Sequence, residues 1–375
     1  MSEKEPIASG KVAFPHLDGL RFLCFLGVFL FHGFPTGSAA VAQSVPYRAV
    51  RFAFRHGDLG VNFFFVLSGF LITYLLLEEK HRRGGIHVGY FYVRRILRIW
   101  PLYFACVAFG FLVFPLLKRL AGAEPNETAD PIMYLLFLGN FDVIRNGLPD
   151  AGVLGVLWSV AVEEQFYLAW PLLLAAVPLG HELWVLLTVL ATSIAFRSMQ
   201  TDYLVLTFHT LGLIGDMAVG GIAAYAAIRY RSFVDRISEM PRPAIWGLYA
   251  LAAAVFSLDL EVLHPFDRLV AALVFAAVIL EQNYSKASLF KMGRSSVLTL
   301  LGQRTYGMYC LHMIGNVTAL QIARLLHLDA DLWHVLVFVP LTSLGATILL
   351  SEVSYRHFEL PFLRLKRRFQ FFTRD

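Results

Sequence analysis

Charge is scarce in this sequence. Only 16% of the 375 residues are Asp, Glu, Lys or Arg, whereas 57% are hydrophobic, and the mean hydropathy is +0.61. A soluble globular chain carries about a quarter charged residues, so a soluble enzyme, even one held by a single anchor, is excluded. Cysteine is scarcer still. Cys24, Cys106 and Cys310 are odd in number and each lies inside an apolar run. That excludes a disulfide-stapled secreted domain and reads as small core residues rather than bridges or metal ligands. Also missing are a soluble block of the roughly 100 residues that an independent domain needs and any tandem or half-to-half repeat of the kind many transporters show. The net charge of +5 is too mild to argue for nucleic acid.

What the chain has instead is apolar segments. They run approximately over 18–36, 59–78, 96–117, 153–178, 182–196, 203–228, 243–259, 266–281, 297–320 and 332–353. A membrane-crossing helix takes about 20 such residues. The expectation is an all-α, polytopic transmembrane bundle of about ten spans, forming a single integral membrane domain over 1–375. An eleventh segment, 131–141, is too short to cross, holds Asn140, and reads as re-entrant or interfacial.

Loop charge sets the orientation. Lys80, Arg82, Arg83, Arg94, Arg95 and Arg98 belong on the cytosolic side. Alternation then places Arg229/Arg231/Arg236/Arg242, Lys286/Lys291/Arg294 and the tail with Arg364, Lys366, Arg367 and Arg368 inside, with both termini cytosolic. The acidic loops around Glu124/Glu127/Asp130, Asp259/Glu261 and Asp329/Asp331 fall outside. Counting 131–141 as a crossing would reverse every later loop. Ala40-Val41-Ala42 resembles a signal-peptidase site, but the region before it is long and mixed in charge, and the run holds His32 and Pro35, so cleavage is not expected.

Ionisable groups within spans are expensive and mark function by default. Arg21 and His32 lie 1100° apart on a helix, about 20° from three full turns and roughly 16 Å along the axis, with Asp18 about 60° from Arg21. One stripe of the first span thus carries all three and faces the bundle interior. Taken alone, Asp18 and Arg21 read equally as a structural ion pair, and His32 as an interfacial histidine. Ser68-Gly69 reads first as a helix-packing notch, because a nucleophilic Ser68 has no base beside it in sequence. Arg94, Arg95 and Arg98 share one helical surface at the cytosolic mouth, suited to topological anchoring or to gripping phosphate groups. Glu163 and Glu164 point about 100° apart, so at most one easily serves a given site. His209 and Asp216, 700° apart, are nearly in line. These two and His312 read as satisfied interior polar groups.

The order of these motifs resembles the acyltransferase-3 family, integral membrane O-acyltransferases of carbohydrates and related hydroxylated acceptors. The resemblance covers about residues 16–365. It rests on Leu17-Asp18-Gly19-Leu20-Arg21 with His32, on Gly60-Val61 through Ser68-Gly69-Phe70-Leu71-Ile72, and on Arg94-Arg95…Arg98-Ile99…Pro101…Tyr103. Trp158-Ser159…Val162-Glu163-Glu164-Gln165-Phe166-Tyr167, Tyr306…Tyr309…His312 and Tyr355…Phe358-Glu359…Pro361-Phe362 complete it. Two departures are mild: Leu360 stands where the family often has Arg, and no hydrolase-like domain follows the tail, so the chain would need no fused partner or would find one in trans.

The resemblance implies transfer of an acyl group, usually acetyl, from cytosolic acyl-CoA to an acceptor hydroxyl, without a metal, in a bacterial cell (inner) membrane. Membrane lipids surround such a protein, and an oligomer is compatible with it. A hydroxyl needs a base at neutral pH. His32 is the expected base, with Glu163, or else Glu164, orienting its ring. Arg21, Arg94, Arg95 and Arg98 are expected on the donor side, and Asp18, Ser68, Trp158, Tyr167 and His312 in structural or acceptor-side roles. The alternatives are cytosolic-side acylation of a small metabolite such as a macrolide sugar, and a transporter or lipid flippase.

Overall fold

The computed structural model describes residues 14–369, so the two chain ends and the charged N-terminal stretch lie outside the described residues. Among the described residues the structure is helical, with no strand. The principal helices are α1 (His16–His32), α2 (Leu59–Arg83), α3 (Val88–Leu120), α4 (Pro131–Leu135), α5 (Gly139–Asn146) and α6 (Trp158–Ala176). They continue with α7 (Glu182–Ser198), α8 (Thr210–Arg229), α9 (Arg242–Ser257), α10 (Asp267–Tyr284), α11 (Ser296–Leu325) and α12 (His334–Lys366). Local chemistry sets their ends. Gly84, at φ 75°, closes α2 with its N–H on the Lys80 carbonyl, after a last turn rich in cations that suits a helix C-terminus. Ser295 caps α11 by accepting from the Leu298 N–H at 3.3 Å.

Each of the ten apolar segments is largely helical, with 153–178 and 203–228 each divided between two helices. By length and composition, four helices among the described residues suffice to cross a membrane: α2, α3, Tyr203–Arg229 and α12. The segment 131–141 is divided between α4 and α5. Its Asn140 is buried and donates to the Phe208 carbonyl and the Thr210 hydroxyl, each at 3.0 Å.

One expectation from the sequence fails here. His209 and Asp216 do not share an unbroken helix, because the chain leaves the helical region at His209 (φ −75°, ψ 128°) between Tyr203–Phe208 and α8. His209 then caps α8 by accepting from the Leu211 N–H, and Asp216 forms a buried ion pair with Arg268. Both are structural.

The core is organised by backbone contact at glycine. A Cβ on Gly69 of α2 would stand 2.0 Å from the Met217 carbonyl oxygen of α8, and one on Gly220 would stand 2.0 Å from that of Val66. The two helices therefore touch backbone to backbone, as small residues allow in a medium that offers helices no hydrophobic drive to associate. Gly302 of α11 makes the same approach to the backbone of Asp18 in α1. All three cysteines are free and buried, as core residues. Lys80, expected as a cytosolic orientation signal, is 4% exposed and donates to the Leu174 carbonyl at 2.8 Å, the Val177 carbonyl at 2.5 Å and Glu182 Oε1 at 3.0 Å.

Candidate active site

A cavity of about 100 Å³ opens between α1, α2, α3, α6 and α11. Arg21, Ser68, Arg95, Arg98, Glu163 and Tyr167 contribute to its wall, with Ser159 and Tyr309 on a further side. The α2–α8 seam fixes where Ser68 points. Gly69 is committed to α8, so its neighbour Ser68 is turned toward α6. There its hydroxyl donates to Glu163 Oε1 at 2.7 Å and accepts from the Tyr167 hydroxyl at 3.2 Å. Ser159 lies one helical turn before Glu163, on the same face of α6, and shares a 2.6 Å hydrogen bond with the Tyr309 hydroxyl of α11.

The two adjacent carboxylates diverge as their angular offset requires. Glu163 lines the cavity, whereas Glu164 accepts from the Trp100 indole at 2.8 Å. Its other oxygen is buried with no hydrogen-bond partner among the described residues. Trp158 packs edge-on against Phe65 and Phe208, away from the cavity wall.

The arginine trio also separates. Arg94 leaves the group, donating to the Phe369 carbonyl at 2.9 Å and standing 3.9 Å from Glu79, whose carboxylate is buried and needs a cation. Arg95 and Arg98 line the cavity, and among the described residues neither makes a hydrogen bond or an ion pair. Arg95 is steadied instead by aromatic faces, its guanidinium 5.0 Å from the Tyr167 ring centroid and 5.4 Å from that of Phe91. Two half-buried guanidiniums with no carboxylate within ion-pair distance among the described residues could hold an anionic group. Arg21, also on the wall, is ion-paired with Asp18 at 2.5 Å.

The stripe Asp18–Arg21–His32 faces α11. Gly302 sits on Asp18, and ten residues later His312 packs against His32, ring centroids 5.3 Å apart. The expected orientation of His32 by Glu163 or Glu164 is not made, because each carboxylate already has another partner. His32 Nδ1 lies 3.0 Å from the Val28 carbonyl. A carbonyl only accepts, so Nδ1 carries the hydrogen and the neutral ring keeps its free lone pair on Nε2. The backbone performs the orienting role assigned to a carboxylate. His312 repeats the arrangement on the Tyr309 carbonyl at 2.6 Å, and its buried Nε2 has no hydrogen-bond partner among the described residues. His32 is not on the cavity wall. Tyr309 is, and the His312 ring lies 5.8 Å from it, between cavity and His32.

Reading the sequence for site residues missed Ser159 and Tyr309, which line the cavity, and gave no place to Glu359. The i, i+4 spacing of Ser159 and Glu163 carried a signal for the first. Glu359 is buried and accepts from Ser354 at 2.9 Å, and its carboxylate oxygen lies 3.3 Å from where a Cβ on Gly307 would stand. A π-helical turn over Tyr355–Glu359 puts it there, which hydropathy does not reveal.

Comparison with known proteins identifies the family. The family model described as an acyltransferase domain, that of the acyltransferase-3 family, matches residues 14–351. The peptidoglycan O-acetyltransferase OatA of Listeria monocytogenes is 25% identical, over 92% of this chain and 55% of its own length. The O-acetyltransferase OatA of Staphylococcus aureus is 26% identical, over 92% of this chain and 57% of its own length. The chain thus spans a little over half the length of the curated relatives it matches. No solved structure matches it. Helical architecture, ordered motifs and a match over most of the sequence agree: the chain belongs to the acyltransferase-3 family.

Proposed function

We propose that this protein is a multi-pass O-acetyltransferase of a bacterial cell membrane, moving an acetyl group from cytosolic acetyl-CoA to a hydroxyl of a carbohydrate acceptor. The observation that carries the donor half is the pair Arg95 and Arg98, unpaired guanidiniums on the wall of a cavity that also holds Ser68 and Glu163. Phosphate groups of coenzyme A match that donor set bidentately. Small-molecule sites usually occupy roughly 300–1,000 Å³, so a cavity of about 100 Å³ suits the thioester end of the donor, with the nucleotide left at the mouth. For the acceptor half, His32 Nε2 takes the hydroxyl proton, its tautomer held by the Val28 carbonyl. The Listeria relative's name supports a cell-wall carbohydrate as acceptor.

Helix direction supports the alternation that ten crossings require, and the loop charges support cytosolic ends. In α2 and α8, Gly69 meets Met217 and Thr73 meets Gly221, so the two run parallel. With α3, α6 and α7 between them, alternate crossing requires that, and a crossing at 131–141 would make them antiparallel. α1 and α11 are parallel as well, Asp18 meeting Gly302 and His32 meeting His312.

The test is ester-linked acetate released by mild base from envelope carbohydrate of cells expressing wild type or His32→Ala. Acetate with wild type and none with the variant is expected. Equal release from both would refute the assignment of His32, and none with either, together with no binding of acetyl-CoA by the purified protein, would refute the function.

A further inference from the structure

The sequence offers Ser68 no base; the fold supplies one from 95 positions away. The hydroxyl hydrogen of Ser68 is directed at Glu163 Oε1, 2.7 Å distant, and the Tyr167 hydroxyl donates to Ser68 Oγ at 3.2 Å. All three side chains line the cavity that holds the unpaired Arg95 and Arg98. A hydroxyl with its proton committed to a carboxylate, beside an anion-binding pair, is arranged as an activated nucleophile.

Room strengthens this reading. A single-step transfer would need the thioester and the acceptor hydroxyl in the cavity together. The cavity of about 100 Å³ leaves little room for a sugar beside a bound thioester. Using it twice in succession removes the conflict.

We infer that Ser68 is a nucleophile that carries the acyl group between two half-reactions, with Glu163 as its base and Tyr167 positioning its oxygen. The inference rests on the proposed O-acetyltransferase function. In the first half-reaction Ser68 Oγ attacks the thioester carbonyl carbon and its proton passes to Glu163. The carbon–sulfur bond breaks, and the departing thiolate takes the proton from Glu163 to leave as free coenzyme A. An ester on Ser68 remains. In the second, the acceptor oxygen attacks that ester, the acceptor's proton goes to His32, and the bond to Ser68 Oγ breaks. His32 returns its proton to water, and one from water restores the Ser68 hydroxyl. Nothing is oxidised or reduced.

The experiment uses the full-length protein in detergent with acetyl-CoA and no acceptor. Two readouts are followed: isotope exchange between labelled free coenzyme A and acetyl-CoA, and acetyl label retained on denatured protein and mapped by mass spectrometry. Wild type should catalyse exchange and carry the label on the peptide containing Ser68. Ser68→Ala should lose both while eluting as folded protein, and Ser68→Cys should hold the acetyl group as a thioester that hydroxylamine cleaves. Glu163→Gln should acquire label about 10²- to 10⁴-fold more slowly. Wild type that hydrolyses or transfers acetyl from acetyl-CoA, yet shows neither exchange nor label, would overturn the inference and leave the O-acetyltransferase reading standing. Label on a residue other than 68, or full exchange by Ser68→Ala, would overturn it equally. Wild type that does not bind acetyl-CoA would instead overturn the function on which it rests.

Discussion

Replacing Arg98 by lysine keeps the positive charge but removes the planar fork, and so separates membrane anchoring from ligand binding. Arg98 has no hydrogen bond or ion pair among the described residues, so the substitution breaks no internal contact of that kind. If the guanidinium grips a donor phosphate bidentately, lysine forfeits one of two charge-assisted hydrogen bonds, worth about 1.5–3 kcal/mol. At 1.4 kcal/mol per decade, the KM for acetyl-CoA should rise about 10- to 100-fold, with kcat little changed. Arg95 predicts a different signature. Its guanidinium lies against Tyr167, which donates to Ser68, so Arg95→Lys should raise KM and also lower kcat. The assay is a titration of acetyl-CoA against purified wild type and both variants, following thiol release. Coenzyme A without its 3′-phosphate should bind wild type more weakly and lose less in the variants. Unchanged KM in both would return these arginines to membrane anchoring.

Three further outcomes are expected. His32→Ala should lower acceptor acetylation about 10²- to 10⁴-fold in a protein that still inserts, with His312→Ala milder; equal acetylation by His32→Ala and wild type would remove the base from this site. Lys80→Met leaves the buried Glu182 carboxylate without its cation, and should cost about 3–5 kcal/mol of stability. Thermal melts in detergent would show it, and an unchanged midpoint would refute it. Single cysteines placed in 229–242 should be shielded from external membrane-impermeant thiol reagents and those in 119–152 should react, against a low background from the buried native cysteines; external labelling of 229–242 would refute the ten-crossing topology.

The helices were legible because lipid demands long apolar stretches whose backbone bonds are satisfied internally. The pairing of Asp18 with Arg21, one turn apart, was legible as well. The break at His209 was not, because Asn140, which bonds Phe208 and Thr210 across it, is remote in sequence. Nor was the division of the arginines. Helical spacing groups Arg94 with Arg98, but a buried Glu79 on the preceding helix draws Arg94 away. The partner of Glu163 was misassigned for the same reason. Angular position on a helix gives the direction of a side chain, whereas its partner depends on how two glycines set α2 against α8.

That glycine seam also has a genetic consequence. A methyl group added at Gly69 or Gly220 meets a carbonyl oxygen of the opposite backbone rather than a side chain. No smaller residue at Met217 or Val66 could make room, since the obstructing atom is common to every amino acid. Lesions at these two positions should therefore resist suppression elsewhere in the chain. In a screen for regained activity, survivors should carry glycine again at the original codon.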